Sequence, residues 1–158
     1  MTEEKLNQAK KNFKILCSAL EDQDWTYQKD EDNLRINCGA RGDDLPMDII
    51  VEIDAERQLS VLLSHLPFVV AEDKRVNVAV AISVINYQLV DGSFDFDIND
   101  GHLFFRMTSS FIESDLDKEV FAYMLMCSCV TIDMYNDKLF MIAKGMLSVE
   151  DFIKDETK

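Results

Sequence analysis

Hydrophobic residues recur along this chain with two different periods, and each change of period marks a new element. In the first twenty residues Leu6, Phe13, Leu16, Cys17 and Leu20 return every three or four positions, which predicts an amphipathic helix. Thr2 stands where an N-cap belongs, Glu3 and Glu4 suit the N-terminal dipole, and the acidic EDQD at 21–24 closes the helix. The period then drops to two. Trp25 and Tyr27 alternate with Thr26 and Gln28. Leu34, Ile36 and Cys38 alternate with Arg35 and Asn37, and Met47, Ile49, Val51 and Ile53 with Asp48, Glu52 and Asp54. A fourth run carries Leu59, Val61 and Leu63, and Pro67 ends the section. One apolar face per strand, with short turns between strands, predicts an antiparallel meander.

Residues 72–90 return to helical spacing and carry two apolar stripes. Val76, Val80, Val84 and Tyr87 form one; Val78, Ile82, Ile85 and Leu89 form the other, on roughly the opposite side. The sheet can cover one stripe, so the other calls for the last helix or a second copy of the chain. Phe94, Phe96 and Ile98 then alternate with Asp95 and Asp97. Asn99-Asp100-Gly101 supplies turn residues, and Leu103, Phe105 and Met107 share one side of a returning strand. A long helix is predicted from near Ser114 to a stop at Gly145, with Leu116, Val120, Phe121, Met124, Leu125, Tyr135, Leu139 and Ile142 on its apolar side. Ser148-Val-Glu-Asp opens a short tail helix at about 148–154 holding Phe152 and Ile153. The order is helix, strand meander, helix, β-hairpin, helix. That is an α+β fold with the helices on one face of an antiparallel sheet. The 158 residues fit a single domain.

Charge narrows the class of partner. The formal net charge is -14, and no basic block occurs. Nucleic acids and anionic membranes attract Lys and Arg, so neither is an expected partner. The acidity serves solubility or meets a basic protein or peptide. Cys17, Cys38, Cys127 and Cys129 form no C-x-x-C pair, and only His65 and His102 could join them, so no zinc site is expected and the thiols read as buried and reduced. The charged N-terminus lacks the apolar core of a signal peptide, and the longest apolar run, 121–132, is too short for a bilayer. A cytoplasmic location is the expectation.

Candidate chemistry is sparse. Asp95-x-Asp97-x-Asn99 starts like a calcium loop, but the sixth and twelfth positions hold Asp100 and Arg106 instead of Gly and Glu. The acidic run therefore reads as the solvated face of a hairpin. No phosphate-binding glycine loop, nucleophile elbow or cysteine nucleophile context occurs, and neither histidine sits in a catalytic pattern. No cofactor and no enzymatic activity are expected. Most strand positions assigned to the outward register are polar. Ile50, Leu62 and Phe104 depart from this, and together they would make a protein-binding patch ringed by charge. Met124, Met126, Met134, Met141 and Met146 suit an adaptable contact surface but read first as core filling.

The stretch 72–111 resembles the YbjN family of bacterial proteins. The resemblance rests on Lys74 and Arg75 opening a helix, Asn86 near its end, Gly92-Ser93-Phe94, Asp97, Gly101 and the strand Phe104-Phe105-Arg106. It implies a fold similar to type III secretion chaperones, from which this chain departs by one strand more, near 59–63, or by a longer bent third strand. It further implies a cytoplasmic, non-enzymatic protein described as a sensory-transduction regulator, and brings no catalytic residue with it. Chaperones of that kind are acidic dimers. The function expected on these grounds is a chaperone- or regulator-like protein-binding module, as a homodimer. The alternative is a structural or regulatory subunit that meets a basic partner through its acidic surface.

Overall fold

The computed structural model describes residues 2–157. Helix α1 (Glu3–Asp22) leads into four strands, β1 (Tyr27–Asp30), β2 (Arg35–Arg41), β3 (Pro46–Asp54) and β4 (Leu59–Val69). A 3-10 turn (Glu72–Lys74) and α2 (Arg75–Gln88) precede the hairpin of β5 (Ser93–Phe96) and β6 (His102–Ser110); α3 (Lys118–Ala143) and α4 (Val149–Glu156) complete the chain. The strands form one antiparallel sheet in the order β1-β2-β3-β4-β6-β5. Helix α1 packs over β3, α3 over β4 and β6, and α2 against β5 and α3. This is the α+β arrangement that the alternating periods predict.

The helix ends follow the expected capping chemistry. Thr2 accepts from the Lys5 amide, Asp117 from that of Val120 and Ser148 from that of Asp151, each satisfying an orphan N–H of a first turn. Asp117 thus caps α3, and the helix begins at Lys118, later than the predicted Ser114. Gly145, with φ of +71°, ends it in a left-handed turn.

The inner face of the sheet is apolar because pairing aligns the alternating positions. Ile36, Val51, Leu62 and Met107 stand in one row across β2, β3, β4 and β6, and Cys38, Ile49, Ser64 and Phe105 in the next. All eight are buried. Leu16, Leu20, Phe121, Ile132 and Leu139 from α1 and α3 close over them. Each large side chain so buried contributes about 1.5–3 kcal/mol.

Two expectations are corrected within β4. The strand runs on through Pro67, which does not end it. Pairing with β3 stops at His65, and the register with β6 shifts between His65 and Val69, so the missing N–H of Pro67 falls where no regular ladder needs it. The phase of the strand is also inverted. Ser60, Leu62 and Ser64 face the core, while Val61 and Leu63 lie on the outer face. A one-residue shift in phase exchanges the two faces of a strand. In α2, one stripe packs inward as predicted, with Val78, Ile82 and Ile85 buried, but Val76, Val80 and Tyr87 of the other are exposed.

Candidate interaction surfaces

Of the residues that carry the family resemblance, Arg75, Asn86 and Asp97 hold backbone in place through their side chains. Arg75 donates through Nε to the Val70 carbonyl and through Nη1 to those of Ile98 and Asn99, tying the start of α2 to the hairpin turn. Asn86 bonds the backbone of Phe94 in both directions. Asp97 accepts from the Asn99 amide at 2.8 Å, and Arg106 pairs with Asp95 at 2.5 Å across the outer face. Gly101 combines a φ of +85° with an approach so close that a Cβ would stand 2.3 Å from the Val70 oxygen. The motif is therefore a set of fastenings among α2, β4 and the hairpin, with the acidic groups of the turn engaged locally.

No group of three or more His, Cys, Asp or Glu among the described residues could hold a metal ion. The cysteines are free thiols: Cys38 is buried, and Cys17, Cys127 and Cys129 are half-buried. Burial pushes the Cys38 thiol up to about 12, and burial likewise raises those of Cys17 and Cys129. His65 lies against the Phe104 ring, with centroids 5.4 Å apart. A groove of about 750 Å³ between α1 and the β1–β2 turn has an apolar floor of Leu6, Phe13 and Leu34. Lys10, Lys14 and Lys29 on its walls are balanced by Glu21, Glu31 and Asp32, and Lys29 pairs with Glu31.

Of the three patch residues read from the sequence, two lie on the outer face of the sheet and one does not. Ile50 and Phe104 are half-buried on the outer face of the sheet, whereas Leu62 is fully buried in the core. Leu63 takes its place, opposite Ile50 on β3 and Arg106 on β6, one step from the His65–Phe104 pair. The resulting cluster is bordered by Asn37, Asp48, Asp95 and Arg106 in the neighbouring register positions. All three apolar members are half-buried.

The more exposed apolar surface is helical, and the sequence pattern points to little of it. Tyr123, Met126, Val130 and Met134 follow one another at spacings of three, four and four on α3, and each is just over half exposed. The opposite side of α3 carries buried Phe121, Leu125, Ile132 and Leu139, so this helix is apolar on both sides and solvated on one. Of the five late methionines, only Met124 is buried; Met126, Met134 and Met146 are exposed and Met141 half-buried, against the expectation of core filling. The signal in the sequence is a 26-residue helix with no long polar stripe.

Helix α2 lies beside α3. The Tyr123 hydroxyl bonds Asp91 just past the end of α2, and Lys74 just before α2 lies against Gly145 just past α3, so the two helices run antiparallel. The outer positions of α2, Val76, Val80 and Tyr87, are exposed, Tyr87 at 92%, and Val90 extends the series past its end. No charged residue occurs from 76 to 90.

The outer side of α3 has an acidic flank. Asp133 and Asp137 sit three residues beyond Val130 and Met134 respectively, on one side of the stripe. The β2–β3 loop meets them there. The Asp43 amide donates to Asp133 Oδ1 at 2.9 Å, and a Cβ on Gly42 would come 1.8 Å from the same oxygen, so a side chain at 42 would push the Asp133 carboxylate aside. Asp44 follows. Its carboxyl is held above the ordinary value of 3.8 by lost hydration and then by the charges of Asp137, Asp133 and Asp43. Among the described residues no lysine or arginine forms an ion pair with any of the four. No helix among the described residues is long and apolar enough to cross a membrane.

A family model described as "YbjN: Putative bacterial sensory transduction regulator" matches residues 12–141. Among solved structures the chain is similar to one described as "Crystal structure of YbjN, a putative transcription regulator from E. coli", with a TM-score of 0.59 and 14% identity over 84% of this chain and 92% of that one. That likeness speaks for a shared fold. No curated protein matches the sequence.

Proposed function

The chain belongs to the YbjN family, and from that premise we propose that it works as a non-enzymatic, regulator-like module that binds another protein through the outer faces of α2 and α3. The observation that carries this reading is the pair of exposed apolar stripes on neighbouring helices, Val76, Val80 and Tyr87 on one and Tyr123, Met126, Val130 and Met134 on the other. Apolar groups left in water on adjacent elements gain free energy when a partner covers them. The motif side chains of Arg75, Asn86 and Asp97 agree with this reading, because they are engaged in holding the fold.

The α2 stripe suits a second copy of the chain. A two-fold interface brings the same patch against itself, so any charge in it would face its like. The α2 stripe carries none. Sedimentation of the full chain is the test. A dimer that becomes a monomer in Val80→Ser/Tyr87→Ser, with far-UV circular dichroism unchanged, supports the reading. A monomer at high concentration removes self-association through α2. The reading as a whole falls if polar substitutions on both helices alter neither self-association nor the binding of any protein.

A further inference from the structure

We propose that the outer face of α3 is the docking surface for a basic amphipathic helix, its apolar side on Met126, Val130 and Met134 and its cations on Asp133, Asp137 and the adjoining loop. This rests on the protein-binding reading above and assigns that contact its partner chemistry.

Charge complementarity identifies the occupant. Asp133 and Asp137 are one helical turn apart on the same flank of the apolar stripe. Asp43 and Asp44 are brought to them by the β2–β3 loop, which the bond from the Asp43 amide to Asp133 Oδ1 holds in place. The fold thus holds four carboxylates together without a cation of its own among the described residues, and their mutual repulsion adds to the lost hydration that chiefly raises the Asp44 carboxyl. A partner that supplies two cations one turn apart relieves that repulsion while its apolar side covers the stripe. A second copy docked through this same face cannot do so, since a two-fold contact would bring the acidic flank against itself. That separates α3 from the uncharged α2 stripe. The thioethers of Met126 and Met134 adapt to a range of helix surfaces, as in other helix-binding sites.

The test uses the full chain and fluorescein-labelled probe peptides, read by anisotropy. One probe is an amphipathic helix of leucine and lysine; its counterpart replaces lysine with glutamate. The leucine–lysine helix is expected to bind, to weaken with added salt, and to lose about tenfold in affinity in Asp133→Asn/Asp137→Asn. The carboxamide introduced at position 133 keeps the oxygen that accepts from the Asp43 amide, so the loop stays in place. Met126→Gln/Met134→Gln is expected to lose a similar factor, and Asp32→Asn/Glu4→Gln, with the same charge removed elsewhere, to lose none. Equal loss in that distal pair overturns the proposal in favour of general acidity. Equal binding of the leucine–glutamate helix overturns it but leaves the protein-binding reading standing, as does dissociation of a dimer by Met126→Gln/Met134→Gln. Absence of peptide binding, with self-association also insensitive to substitutions on both helices, overturns the two together.

Discussion

Asn86 on α2 and Phe94 on β5 are joined through one carboxamide: Nδ2 donates to the Phe94 carbonyl and Oδ1 accepts from its amide, both at 2.9 Å. β5 is the last strand of the sheet, and Phe94 lies opposite Phe105, with the rings edge-on at 5.1 Å. The amide side chain thereby occupies the backbone groups that an additional strand would use. Position 86 is therefore an edge cap, and this accounts physically for an asparagine near the end of the helix on the side that meets β5.

Replacing Asn86 by Ala removes both bonds and leaves two part-buried backbone groups unpaired, which should cost about 2 kcal/mol. Urea unfolding is expected to show a lower midpoint with an unchanged slope. In Asn86→Asp, the carboxylate can accept from the amide but opposes the carbonyl. Its deficit should shrink on acidification, when the neutral acid regains a donor.

The inverted phase of β4 gives a sharp contrast between neighbours. Leu62→Asp places a charge in the core and should leave no cooperative thermal transition, while Leu62→Ala should cost about 3 kcal/mol. Leu63→Asp, on the outer face, should stay within about 1 kcal/mol of the parent. Equal damage from Leu62→Asp and Leu63→Asp would contradict this assignment of faces.

Asp44 makes stability depend on pH in a defined direction. Its carboxyl is raised in the fold, so the proton is held more tightly there than in the unfolded chain. The associated stability is present below the unfolded value of 3.8 and is lost as pH rises through the folded one. Asp44→Asn should therefore stabilise the protein at neutral pH and leave it unchanged near pH 3. Thermal melts at the two pH values measure the difference.

The Cys38 thiol, buried and pushed up to about 12, should hold almost no thiolate at pH 8. Iodoacetamide is expected to leave it unmodified in the native protein and to label it once guanidinium is added. Mass spectrometry of the Cys38 peptide distinguishes the two.

How far the sequence can be read depends on whether polarity and burial agree. In β3, Met47, Ile49, Val51 and Ile53 are apolar and buried while Asp48 and Glu52 are charged and exposed, and the face is assigned without ambiguity. In β4 both phases contain apolar residues, and the inward phase holds Ser60 and Ser64, whose small hydroxyls are buried and unpartnered. Polarity there points to the wrong face, which puts Leu62 outside and hides Leu63. The stripe on α3 is hidden differently. Methionine is equally at home in a core and on a contact surface, so Met126 and Met134 can be told apart from Met124 only when the sheet has taken up the other side of the helix. The acidic flank needs the fold outright, since ninety residues separate Asp43 from Asp133.

The sheet order has a consequence for synthesis. β2, β3 and β4 each pair with the strand made just before, but the other margin of β4 must wait for β6, which lies beyond α2 and β5 in the chain. A nascent chain that has reached the end of β4 therefore carries an eleven-residue strand with one backbone margin open. Only the arrival of residues 102–110 shields it. Refolding should share this order, with rapid formation of the N-terminal meander and a slower docking of the hairpin, during which crowding of molecules favours aggregation.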